Sequence, residues 1–120
     1  MKFYDQMENA SLHQKHEKAI THLLNTLSST ANEWQVTQFA YQLLEDEKNN
    51  EAINWFEKLA QAFPESPNVY DSLGDGYEKV KRYEDALEAR TKSVSLAQAQ
   101  DHRGLKQFQK NLEKLKKARF

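Results

Sequence analysis

The apolar positions of this chain fall into stripes spaced three and four residues apart, the periodicity of one buried helix face. Ala19, Ile20, Leu23 and Leu27 form the first stripe and predict a helix over 12–28. Val36, Phe39, Ala40 and Leu43 predict one over 32–47, and Ala52, Ile53 and Phe56 one over 51–63. Tyr70, Leu73, Gly74 and Tyr77 mark 67–80, and Ala86 with Leu87 marks 84–98. Leu105, Phe108, Leu112 and Leu115 mark a last helix over 102–118. A short helix near 2–8, carrying Phe3, Tyr4 and Met7, brings the expected number to six or seven; the alternative for this region is one long helix from about Asn9 to Leu27.

The breaks between stripes have chemistry of their own. Ser28-Ser29-Thr30 is a polar interruption, and Thr30 with Glu33 has the spacing of a capping box. Lys48-Asn49-Asn50 and Lys81-Arg82-Tyr83 read as turns. Pro64 ends the helix before it, because its ring disfavours helical geometry at Phe63. Ser66 before Pro67 sets an N-cap oxygen ahead of a residue whose missing N–H costs nothing in a first turn.

The pattern is written twice. Tyr70, Leu73, Gly74, Tyr77, Ala86 and Leu87, moved back 34 residues, fall on Val36, Phe39, Ala40, Leu43, Ala52 and Ile53. Apolar positions stay apolar and small ones stay small. A small residue at Ala40 or Gly74, facing Ala52 or Ala86, lets two antiparallel helices approach closely, while Leu43, Tyr77 and Phe56 fill the space alongside.

Tyr70-x2-Leu73-Gly74-x2-Tyr77…Ala86, together with Ala52-x3-Phe56…Pro64, resembles the tetratricopeptide repeat, a helix-turn-helix unit of this length. Two features depart from the family: Arg90 stands where it usually has an aromatic, and no proline closes the second copy. The resemblance implies an all-α solenoid of antiparallel helix pairs, forming one domain over 1–120. Its parts would be a degenerate leading repeat at 1–32, repeats at 33–66 and 67–100, and a C-terminal capping helix at 101–120.

Composition fits that architecture and removes several chemistries. A chain of 120 residues is one domain by length. Its 38% hydrophobic content suits a stack that buries narrow stripes rather than a thick core. With no cysteine there are no disulfides, thiolate zinc sites or cysteine nucleophiles. No apolar run approaches the roughly 18 residues of a membrane span, and Met1 to Ala10 is too polar for a signal peptide, so the chain reads as soluble and cytoplasmic. The net charge of −1 hides a gradient. Thirteen acidic residues against six basic ones between Glu33 and Arg90 give −7, and seven basic against two acidic from Asp101 to Phe120 give +5.

No set of residues converges on catalysis. His13 shares a helix face with His16 and Glu17, yet nothing has the HExxH arrangement, and surface histidines at this spacing are commonplace. Asp71, Asp75 and Gly76 have part of a calcium-loop spacing, but Arg82 occupies the place of the bidentate glutamate and Leu73 that of a ligand. Nucleophile elbows, phosphate loops and dinucleotide fingerprints are absent. The chain is therefore read as no enzyme, with no metal and no cofactor. The basic last helix, with Lys106, Lys110, Lys114 and Lys117 spread around an apolar stripe, reads as a cap with a solvated face, not a nucleic-acid contact.

The resemblance also implies where binding would occur, because the first helix of each pair lines a concave groove. Opposite the buried stripe of 32–47 lie Trp34, Thr37, Gln38, Tyr41 and Glu45, and on 67–80 lie Asn68, Asp71, Ser72, Asp75 and Glu78. On the last helix they would be His102, Lys106 and Gln109. The groove is then aromatic at one end, acidic in the middle and basic at the other. The positions at which some family members clamp a peptide carboxylate carry Thr37, Tyr41 and Ser72, so no clamp is carried over. The expected role is a non-catalytic module that binds a protein or peptide with a basic segment, Trp34 or Tyr41 being the anchor. Two alternatives are an accessory domain, since the run from Tyr41 to Leu87, especially Phe63 to Gly74, resembles repeats at the C-terminal end of some bacterial serine esterases and related hydrolases, and a self-associating scaffold marked by Trp55.

Overall fold

The computed structural model describes Lys18 and residues 30–120, with side chains from Glu33 onward. The helices expected near 2–8 and over 12–28, with His13, His16 and His22, lie outside the described residues, apart from Lys18. Five helices follow: α1 (Thr30–Glu45), α2 (Asn49–Ala62), α3 (Pro67–Lys79), α4 (Tyr83–Ala99) and α5 (Leu105–Arg119). Each packs against the next, and α1 also meets α3. Among the described residues no helix is long and apolar enough to cross a membrane.

The stripes read from the sequence are the core. Ala40, Leu43, Ala52, Phe56 and Leu59 are essentially inaccessible, and Val36, Ile53, Val69, Leu73, Tyr77 and Ala86 are buried with them. On α5, Phe108, Leu112 and Leu115 are buried while the lysines face outward. Trp55 is also buried, its ring edge-on to Phe39 at 6.0 Å, so it marks no surface contact.

Helix ends differ from the expected ones for local reasons. Thr30 lies inside α1, not at its cap. Ser66 caps α3 as anticipated: its Oγ accepts from the Val69 N–H, and Pro67 follows at the first helical position. The turn after α1 is Asp46–Lys48, and Asn49 and Asn50 already belong to α2. Here Glu47 adopts a left-handed φ of 64°, while the N–H groups of Glu47 and Lys48 donate to the carbonyls of Leu44 and Leu43. The same pair of bonds closes α3 around Lys81 and α4 around Asp101. All three are Schellman closures without the usual glycine.

The missing second proline has a visible consequence. Counterpart positions lie 34 apart, so Ala62 at the end of α2 corresponds to Leu96, yet α4 runs on to Ala99. Gln98 stands where Pro64 would recur, and nothing stops the helix there. The extra turn delays α5, which starts at Leu105 and not at 102.

Candidate functional site

Three carboxylates on α3 recur at i, i+4 and i+7, which turns Asp71, Asp75 and Glu78 to one face. Beneath them lies Arg90 of α4, 4% exposed. Its Nη1 donates to Asp71 Oδ1 at 2.9 Å, its Nη2 to Asp75 Oδ1 at 2.6 Å, and its Nε to Glu78 Oε2 at 2.5 Å. The place of the family aromatic is thus filled by a guanidinium whose fork reaches three acids at once. Its counterpart Phe56 fills the equivalent space one repeat earlier, edge-on to Tyr41 at 5.1 Å.

Neighbouring helices complete the network. Tyr41 of α1 donates its hydroxyl to Asp75 Oδ2 at 2.5 Å, and Asn111 Nδ2 of α5 donates to Asp71 Oδ1 at 3.1 Å. Burial, and then the Asp75 carboxylate, push the Tyr41 phenol well above its ordinary range. Burial also raises Asp71, although Asn111 and Arg90 pull it the other way. Burial opposes the charge of Arg90, but hydrogen bonds and attraction from Asp75 and Glu78 outweigh it and hold the guanidinium above its ordinary value. The side chains of α1, α3 and α5 are therefore tied together across a single face.

The expected groove residues divide into two groups. Trp34 is 64% exposed, and Gln38, Glu45, Asn68 and Lys106 are exposed as well. Thr37 donates to the Glu33 carbonyl, Tyr41 is half-buried in the network, and Ser72 is buried. Tyr41 is accordingly a structural bridge, and the exposed aromatic of this face is Trp34. The acidic middle is partly neutralised, since Arg90 offsets one of three carboxylate charges. His102 is corrected too: it sits in the turn before α5, where its Nδ1 accepts from the Gly104 N–H. The α5 residue that meets the acidic cluster is Asn111, which the 34-residue period had not aligned.

Arg90 and Asn111 lie outside the set of site residues expected from the sequence. The available signal was an arginine at a core position paired with three acids spaced i, i+4 and i+7. Asn111 gave none, because its place depends on the displaced start of α5. Among the described residues no group of three His, Cys, Asp or Glu is arranged to hold a metal ion.

An all-α stack of sequentially packed antiparallel helices, with one shared face on α1, α3 and α5, is a tetratricopeptide-like fold. The solution NMR structure of a tetratricopeptide repeat domain protein from Salinibacter ruber is similar to this chain, with a TM-score of 0.56 and 24% identity. The likeness covers 72% of this chain and 81% of that one. No family model and no curated protein matches the chain. At this identity the likeness establishes the fold and nothing of the ligand.

Proposed function

We propose that this chain is a non-catalytic protein-interaction module whose ligand lies across the face shared by α1, α3 and α5. The observation that carries this reading is Trp34. It is a large aromatic left 64% exposed, on the same helix face as Gln38 and Glu45. Aromatic side chains that can be desolvated by a partner are the usual energetic anchors of an interface. Asn68, Asp71, Asp75 and Glu78 are read as continuing the face, with the buried Ser72 and half-buried Tyr41 beneath it, Thr37 beside it, and His102 near Asn68 at one end. The three α3 carboxylates exceed the Arg90 charge by two, so a peptide with a basic residue suits the centre. Neither an esterase partnership nor self-association draws support from any observation above.

The experiment is affinity capture by the folded chain, with Trp34→Ala as the control. Truncating a largely exposed side chain should change stability by less than about 0.5 kcal/mol. Loss of a captured partner with unchanged unfolding supports the reading. Equal capture by both proteins removes Trp34 from the site.

A further inference from the structure

A second concavity, of about 600 Å³, lies on a different side of the stack from the Arg90 network. Its floor is made by Tyr70, Leu73 and Tyr77 of α3 with Ala89 of α4, and its rim carries Asp85, Glu88 and Lys92. These α3 residues lie about 130° around the helix from Asp71, Asp75 and Glu78. We propose that this concavity docks an arginine side chain presented by a partner protein.

The molecule contains its own template for the contact. Arg82 places its guanidinium 4.6 Å from the centre of the Tyr77 ring and pairs through Nη2 with Asp85 Oδ2 at 2.9 Å. One tyrosine face and one carboxylate thus hold one arginine. Two turns earlier on α3, Tyr70 has the Lys92 ammonium over its ring, at 6.0 Å. That distance is the outer limit of a useful cation–π contact. Glu88 is exposed and, unlike Asp85, has no ion-pair partner among the described residues. The second tyrosine and the second carboxylate offer the same chemistry without an arginine of this chain.

Arginine fits better than lysine for two reasons. Its flat, weakly hydrated guanidinium stacks on a ring and pairs with a carboxylate at the same time. Its alkyl stem covers apolar surface, here Leu73 and Ala89, while the head stays at the rim. Lys92 would compete for the Tyr70 face, which gives the proposal a distinctive signature.

The test is an NMR titration of the full chain with the capped peptide acetyl-Ala-Arg-Ala-amide, against the same peptide carrying citrulline. The arginine peptide should shift amides in 70–77 and 85–95, and the isosteric neutral peptide should not. Glu88→Gln should weaken the arginine peptide by about threefold, the size of an exposed ion pair. Lys92→Gln should tighten it by freeing the ring and removing a like charge. Trp34→Ala should leave it unchanged, which separates this site from the face of α1, α3 and α5. Equal shifts with citrulline, shifts confined to residues near Glu45 and Glu78, or no shifts at millimolar peptide would each overturn the proposal. So would weaker binding by Lys92→Gln.

Discussion

A Cβ added at Gly74 would lie 2.7 Å from Cγ of Arg90. The glycine thus opens the path by which the arginine stem passes under α3 to reach its carboxylates. Replacing glycine with alanine inside a helix ordinarily stabilises by about 1 kcal/mol. Here the clash is with the stem of a side chain pinned at its head by three acids, so it cannot simply swing aside. Overpacking of this kind costs about 1–3 kcal/mol. Gly74→Ala is expected to be net destabilising, by about 1 kcal/mol in urea unfolding. A stabilised variant would show that the stem moves freely.

Arg90 itself should be worth more. Arg90→Met keeps the stem and removes the charge, leaving three carboxylates facing one another. Removing one partner of a fully buried ion pair costs about 3–5 kcal/mol. Asp75 and Glu78 keep 39% and 34% of their side-chain exposure and can recover water. The expected loss is therefore smaller, about 2–3 kcal/mol. Adding Asp71→Asn and Asp75→Asn to Arg90→Met should restore part of it, and additive losses would contradict the network.

Much of this architecture was legible beforehand. The stripe Val36–Ala40–Leu43 and its copy around Leu73 and Tyr77 identified the core, because helical periodicity and burial are the same physical fact. Ser66, Pro67 and Pro64 did what their backbone chemistry dictates. The face of α1 and α3 was legible as well. Its interior was not, since an arginine at an aromatic position says little until the three acids are seen to converge on it. The register of α5 was lost for a simpler reason. Without a proline at Gln98 the length of α4 is set by packing, and His102 and Lys106 were aligned by a period that no longer applied.

Asp71 gives the network a pH signature. Burial raises its folded-state value, so its protonated form favours the folded chain. That contribution is complete below its ordinary value of 3.8 and is lost as pH rises through the raised value. Asp71→Asn lacks it. Relative to the variant, the wild type should therefore gain stability as pH falls through this window, read as the difference between their urea midpoints at each pH. A difference that moves the other way would mean that Arg90 dominates over burial.

The left-handed turn residues offer a gain. Lys81 has φ 65° and is exposed, in a closure where glycine is the usual residue. Relief of the Cβ penalty, about 1–2 kcal/mol, exceeds the entropic cost of glycine in the unfolded chain, about 0.5–1 kcal/mol. Lys81→Gly should raise stability by about 0.5–1 kcal/mol. Combined with Asp101→Gly, the gains should add, since the two turns lie at opposite ends of α4. A destabilised Lys81→Gly would mean that the lysine makes an interaction worth more than its strain.

A partner bound across α1, α3 and α5 would lie against positions 34 and 38. The most direct measurement places a photoreactive benzoylphenylalanine at position 34, or at Gln38, and compares it with one at Gln61, exposed on the outer helix α2. One protein should be crosslinked from positions 34 and 38, and unlabelled chain should compete it away. Crosslinks from position 61 alone would move the interface to the opposite side and rule out a site on α1, α3 and α5.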